Sequence, residues 1–343
     1  MLSVERIQKA LKFVEPDYVP VCPLYMYPAA EVYGTTVREY ATSGKIMAES
    51  LMAAQKLFGF DGITVGSDVT VEAEAVGSIA EQPLNSPAHM VKNFLEDIKN
   101  FDKLTIPDPY KAGRMPVLIE ATKRCAEAIG DEIYIMVVMQ GPINIASQLR
   151  GVENLMMDFY DRPDFVIELL EYSMQVGNVF AKALAENGAR CMQVGEALAS
   201  PSFMSPAFYK KYLVPFETRQ HKQMLEDGVE AVSVHICGKV IPILDDAATT
   251  NATAIDLDAP VDMGEAKKIL GTRMAIRGNI DPSSVLYRGT PDDVEQKVKL
   301  VIEKAGHGGG LILGSGCDVP YGTPKENLMA LVNAARKYGK YPL

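Results

Sequence analysis

The chain has only four histidines and five cysteines in 343 residues, and three of these are placed where they could share one metal ion. His235 and Cys237 form an H-x-C pair within Ser233-Val234-His235-Ile236-Cys237-Gly238. That run reads as the end of a strand. Strand side chains alternate with period two, so positions 235 and 237 project to the same side. Cys317 follows Gly314-Ser315-Gly316 at the end of another apolar run, where glycine permits a backbone path that aims the thiol inward. One imidazole and two thiolates suit Zn2+ in tetrahedral geometry, and three protein ligands with one exchangeable position form the catalytic pattern. An H-x-C pair alone fits buried core residues equally well, because free cysteine is often buried and a lone histidine is usually just hydrogen-bonded. The gap between Cys237 and Cys317 is too long for a zinc finger.

These residues need a scaffold that brings positions 235 and 317 together. Short apolar runs read as strands at Tyr18 to Leu24, Gly62 to Val65, Ile133 to Val138, Arg190 to Val194, Ala231 to Val234, Ala252 to Leu257, Arg273 to Ile276 and Gly310 to Leu313. Helical periodicity fills 45–58, 114–129, 144–158, 163–186, 205–226, 239–249, 262–269, 291–305 and 323–338. Ahead of them Val4, Ile7, Leu11 and Val14 recur at helical spacing, with Ser3 as the expected N-cap. Residues 69–110, broken by Pro83, Pro87, Pro107 and Pro109, read as an elaborated strand-to-helix excursion. Alternating strands and helices imply a parallel sheet. About eight strands with no Gly-x-Gly-x-x-Gly turn after the first favour an α/β fold of the (β/α)8 TIM-barrel type over a doubly wound sheet. The expectation is one domain over residues 1–343 with an N-terminal helical extension.

In such a barrel the residues just after each strand face one mouth, where active sites lie. Asp68, Gln140, Glu196, His235, Asp258, Asn279 and Cys317 hold those positions. Gln140, Glu196 and Asn279 are expected to line a substrate pocket, although each could equally hydrogen-bond from behind it. Asp258 is the first candidate for a fourth zinc ligand and Asp256 the second. Either could instead be a solvated strand end or a helix cap. Met136, Met139, Met192 and Met204 read as core filler rather than a cofactor wall. His89, His221 and His307 lie outside the motif and are expected on the surface.

The formal net charge of −10 argues against nucleic acid and anionic membrane as partners. No segment has the uncharged apolar length to span a bilayer, and the N-terminal residues lack the apolar stretch of a signal peptide. A cytoplasmic location is expected. An odd cysteine count does not suggest a disulfide framework.

The whole chain resembles the uroporphyrinogen decarboxylase superfamily. Arg6-Ile7, Glu15-Pro16-Asp17-Tyr18-Val19-Pro20-Val21, Gly141-Pro142, Ser205-Pro206-Ala207-Phe208 and Arg277-Gly278-Asn279-Ile280-Asp281-Pro282 carry the likeness. Within it, His235-Ile236-Cys237, Gly316-Cys317 and Val71-Glu72-Ala73-Glu74-Ala75-Val76-Gly77 look like the corrinoid-dependent methyltransferase branch, whose zinc is held by H-x-C and a later cysteine. The decarboxylases bind substrate carboxylates through M-R-Q-A-G-R after the first strand, where this chain has Tyr25-Met26-Tyr27-Pro28-Ala29-Ala30 without arginine. Their last strand ends in G-H-G, where this chain has Gly314-Ser315-Gly316-Cys317. Asp68 matches their catalytic aspartate position, and with the strand-end residues Gln140, Glu196 and Asn279 it makes up the expected cofactor-binding set. It implies a zinc-dependent methyltransferase acting between a methylcobamide, brought by a small corrinoid protein, and a thiol such as coenzyme M. The thiol, deprotonated on zinc, takes the methyl and leaves cob(I)alamin. No D-x-H-x-x-G sequence is present to bind cobalamin directly. The resemblance also leaves open the reverse half-reaction, demethylation of an O- or N-methyl donor by cob(I)alamin. Uroporphyrinogen decarboxylation or a non-catalytic zinc-binding barrel are the remaining alternatives.

Overall fold

A computed structural model describes residues 1–343. Seven parallel strands form one sheet in chain order: β1 (Gly62–Val65), β2 (Tyr134–Gln140), β3 (Cys191–Gly195), β4 (Ala231–Ile236), β5 (Ala254–Leu257), β6 (Ala275–Ile280) and β7 (Leu311–Ser315). The fold is a TIM barrel, with helices covering the outer face of the curled sheet. Nearly every strand residue is buried, as expected when helices cover one face and the barrel interior the other.

The expected first strand is an extended segment rather than a regular strand. Val21 bridges Leu313 in parallel register. Cys22 N–H donates to the Leu313 carbonyl, Leu313 N–H to the Pro20 carbonyl, and Asp61 N–H to the Val21 carbonyl, each at 2.8 Å. The segment therefore joins β7 to the residue before β1 and closes the ring. Pro20 and Pro23 lack the amide hydrogens a continuous ladder needs, so only a few bonds form.

The first helix spans Ser3–Leu11 and lies across the end of the barrel opposite the mouth. Its Val4, Ile7 and Ala10 pack on Cys22, Tyr134, Met136, Cys191, Ala231 and Ile312, residues of the closing segment and of the strands at their N-terminal halves. Burying each of its larger apolar side chains contributes roughly 1.5–3 kcal/mol. Ser3 is the first helical residue and not the N-cap. Its hydroxyl donates to Asp61 Oδ1 at 2.8 Å, and the helix ends before Val14 because Phe13 adopts a φ of 57°.

Residues 69–110 form a short helix, Val71–Val76, a two-stranded antiparallel ribbon of Ile79–Glu81 with His89–Lys92, and a 3-10 turn at Ile98–Lys103. This excursion overhangs the mouth, and its Pro87 and Ala88 reach the cavity there. No helix is long and apolar enough to cross a membrane.

Candidate metal centre and its cavity

At the mouth, His235, the last inward-facing residue of β4, and Cys237, just beyond the strand, meet Cys317, two residues past β7. One nitrogen and two sulfurs lie within 4.8 Å of one another. His235 Nε2 is 3.3 Å from Cys237 Sγ. A tetrahedral zinc with Zn–S near 2.3 Å and Zn–N near 2.0–2.1 Å would separate such donors by about 3.6 Å. The donor set and its spacing therefore fit zinc.

The local backbone explains the convergence. Gly238, directly after Cys237, has a φ of +83°, a left-handed conformation that glycine adopts without steric cost. Its N–H donates to Asp258 Oδ2 at 2.8 Å. Before Cys317, a Cβ at Gly316 would stand 2.6 Å from the Ala259 nitrogen, so only glycine lets the β7 loop pass this close to the loop after β5. Gly316 N–H donates to the Ile280 carbonyl at 2.8 Å, fixing the approach of Cys317.

Electrostatics couple the three groups. The Cys317 hydrogen bond lowers the Cys237 thiol below its usual value, while the same contact and burial raise Cys317. The two sulfurs thus compete for one proton. Burial pulls His235 down, but the hydrogen bond and charge of Cys317 outweigh it and bring the imidazole up to about 9.

Asp258 is not beside the three donors. Its carboxylate accepts from Gly238 N and from Ala259 N at 2.7 Å, so it pins the Cys237 loop through its backbone. Asp256 is also excluded from coordination. It is buried at the level of His235 in the sheet register and pairs with Arg277 Nη2 at 2.5 Å and Nε at 2.8 Å, while accepting from Ser233 at 2.7 Å. Gln193 accepts from the same guanidinium at 2.9 Å. A polar layer therefore fills the barrel directly beneath the metal ligands.

A cavity of about 320 Å3 opens over the three donors. Gln140 and Asp68 line it, and so do Leu24, Met26, Tyr27 and Asp318. Gln140 is fixed from both ends: its N–H donates to Glu72 at 2.7 Å and its side-chain oxygen accepts from Asn144 at 2.9 Å. Burial raises the Glu72 carboxyl to about 8, against the opposing Gln140 bond.

Asp68 is fully engaged. It accepts from both Arg114 terminal nitrogens at 2.8 Å, from Tyr27 and Ser67 hydroxyls at 2.9 Å, and from Thr70 N at 3.0 Å. Burial opposes its charge, yet the Arg114 guanidinium holds the carboxyl well below the carboxylate range. A carboxylate with this many donors is a poor proton acceptor.

Two expected pocket residues lie elsewhere. Glu196 does not line the cavity and is buried behind β3, against Gly141. There burial and the charge of Glu217 push its carboxyl well up. Asn279 turns its amide onto the Asp258 and Val261 carbonyls, at 3.1 and 2.8 Å, and shapes the loop after β5. His221 is completely buried and not on the surface, with Nδ1 2.9 Å from the Thr250 carbonyl oxygen. Met136, Met139, Met192 and Met204 are core residues; the methionine on the cavity wall is Met26.

Sequence reasoning missed Arg114, Tyr27, Asn144, Gln193 and Asp318. Arg114 precedes a helix with no motif around it, and its role exists only because the chain between 68 and 114 doubles back. Asp318, next to Cys317, was within reach of the same strand-end argument.

A barrel with a histidine and two cysteines at its mouth is an enzyme scaffold carrying a metal-type centre. The chain belongs to the uroporphyrinogen decarboxylase (URO-D) family, whose model matches residues 2–338. It is 30% identical over 339 residues to the methylcobamide:CoM methyltransferase MtaA of Methanosarcina barkeri, covering 97% of each chain. It is 31% identical over 345 residues to the methylcobamide:CoM methyltransferase MtbA of Methanosarcina mazei, again covering 97% of each. Among solved structures, a methyltransferase from Methanosarcina mazei superposes with a TM-score of 0.91 at 27% identity, covering 98% of this chain and 99% of that one.

Proposed function

We propose that this protein is a zinc-dependent, cytoplasmic methyltransferase that moves a methyl group from a corrinoid, carried by a separate small protein, to a thiol. The observation that carries this reading is the meeting of His235, Cys237 and Cys317 beneath an open cavity, in a chain whose named relatives are methylcobamide methyltransferases.

His235, Cys237 and Cys317 would hold the zinc, which would supply the Lewis acidity that lowers a bound thiol's pKa. The protein's own groups prepare the site. The Asp256 main-chain carbonyl receives His235 Nδ1 at 3.3 Å, which directs the Nε2 lone pair toward the cysteines. Asp258 and Gly316 set the two cysteine loops. Leu24, Met26 and Val138 give the cavity apolar walls that limit water around the nucleophile. Gln140 and Gln193 offer carboxamides to orient a small substrate.

The test supplies zinc-loaded protein with methylcobalamin and a thiol, and follows the corrinoid spectrum. Loss of the methylcobalamin bands that depends on both zinc and thiol is the expected result. A spectrum that stays unchanged with every thiol, in protein shown to hold zinc, would overturn the reading.

A further inference from the structure

We infer that Arg114 is a positioning residue: it clamps residues 69–92 as a roof over the metal centre, and so governs how a small thiol is enclosed there. The inference rests on the thiol-transfer reading above and deepens it by naming what holds the cavity's outer wall. Val69 at the start of this segment, with Pro87 and Ala88 in the turn between its two ribbon strands, forms part of that wall.

The ribbon cannot hold its own place. Every residue of its two strands is exposed or half-buried, so little apolar area is removed from water there. A two-stranded ribbon alone is at best marginally stable. Its far end is tied to the barrel wall, where Leu95 N–H donates to the Leu149 carbonyl and Arg150 Nη1 to the Leu95 carbonyl, each at 2.8 Å. Arg38 Nε reaches the Gln82 carbonyl at 2.7 Å, but from an exposed position. The near end rests on the helix Val71–Val76, whose Val71 and Ala73 are buried, and the polar contacts around that helix converge on Arg114.

Arg114 stands on a fixed post. It precedes the helix Met115–Ile129, whose Met115 and Leu118 lie in the core. Gly113, just before it, has a φ of +50°, and a Cβ there would stand 2.8 Å from the Ala75 nitrogen. Only glycine lets the chain run this close to the roof's helix. From that post the guanidinium uses all three nitrogens. Nη1 and Nη2 each donate to one oxygen of Asp68 at 2.8 Å. Nε and Nη2 donate to the two oxygens of Glu74 at 3.0 and 2.5 Å, and Nη2 also to the Thr70 hydroxyl at 2.9 Å. The Gln82 carboxamide lies 3.1 Å from Nε. One side chain thus grips four points spread from position 68 to position 82. A planar fork can do this, and the single ammonium of lysine cannot. None of these contacts involves His235, Cys237 or Cys317, which are carried by β4 and β7.

Arg114→Lys keeps the charge and loses the fork. Glu74→Gln weakens one grip and leaves the Asp68 pair in place. Both are compared with wild type, zinc-loaded, by amide hydrogen exchange and by methyl transfer from methylcobalamin over a range of coenzyme M concentrations. In Arg114→Lys, exchange across residues 69–92 should quicken about tenfold, the loss of one charge-assisted contact of about 1.4 kcal/mol, while β4 and β7 keep wild-type protection. Zinc content should not change. The thiol concentration giving half the maximal rate should rise several-fold with the saturating rate nearly constant, which marks weaker substrate enclosure rather than damaged chemistry. Glu74→Gln should move both readouts the same way by less. Roof exchange unchanged in both variants would overturn the clamp. Faster exchange throughout the barrel, or lost zinc, would overturn it too, since Arg114 would then support the core. A loosened roof with the half-saturating concentration unmoved would overturn the positioning role. If wild type holds zinc but transfers no methyl group, the thiol reading falls and the positioning role with it, whereas the exchange comparison, which needs no substrate, still tests the clamp.

Discussion

His235 Nδ1 lies 3.3 Å from the main-chain carbonyl oxygen of Asp256, its partner in the β4–β5 register. A carbonyl can only accept, so Nδ1 carries a hydrogen, and in the neutral imidazole that a metal requires the lone pair is on Nε2, which faces Cys237. The tautomer is thereby set by backbone, which side-chain substitution at position 256 leaves in place. The Asp256 side chain is separately committed to Arg277.

About one zinc per chain is expected on elemental analysis, as for a single site with three protein ligands. His235→Ala, Cys237→Ser and Cys317→Ser should each lower zinc retention without unfolding the barrel. Asp258→Asn should keep zinc near the wild-type level, because its carboxylate meets only backbone N–H groups. Full zinc in all three ligand variants would show that the metal centre is misplaced.

Arg277→Met should destabilise the protein by roughly 3–5 kcal/mol, the usual cost of leaving one member of a buried ion pair alone. The cause is the Asp256 carboxylate, which would stay buried with Ser233 as its remaining side-chain donor. Urea denaturation of both proteins measures this. An unchanged midpoint would refute the stabilising role of the Arg277–Asp256 pair.

Burial lowers His221 to about 4 from an ordinary value of 6.5. The unfolded chain therefore binds a proton that the folded chain refuses. Stability from this residue is full above about pH 6.5 and is lost as pH falls toward 4, by up to roughly 3 kcal/mol. Glu217, one turn away, is pushed by burial up to about 7 and acts in the opposite sense. It is common to wild type and His221→Gln, so the difference between their denaturation midpoints at pH 7 and pH 5 isolates the histidine. Wild type should lose more stability than the variant on acidification; equal losses would contradict the assignment.

Uroporphyrinogen should not be decarboxylated. Asp68 is saturated by Arg114, Tyr27, Ser67 and Thr70, and the wall offers no lysine or arginine to a polycarboxylate. Product analysis for coproporphyrinogen checks this, and sustained turnover would refute it.

The strand–helix rhythm and the residues at strand ends were legible in the sequence because parallel strands are short apolar runs and the barrel sends their C-terminal ends to one place. His235, Cys237 and Cys317 could be grouped for that reason. Asp258 and Asn279 could not be told from pocket residues, since a strand-end position fixes the neighbourhood but not the rotation of one side chain. Glu196 shows the same limit: one residue past β3 its side chain turns behind the sheet, while Gly195 and Ala197 on either side reach the cavity. Arg114 was invisible because its partners are set by a loop path, which has no periodicity. The closing segment, Tyr18 to Leu24, was read as a strand from its apolar content, and Pro20 and Pro23 reduce it to a few bonds.

The helix Ser3–Leu11 makes the barrel a dead-end chamber. Anything reaching the three donors must come through the same opening, and a space of about 320 Å3 admits a small thiol but not a whole corrinoid with its protein. Under the proposed reaction a corrinoid protein would have to dock across that doorway, and a small thiol arriving after it would find the way shut, so the binding order would be compulsory: thiol first, corrinoid protein second.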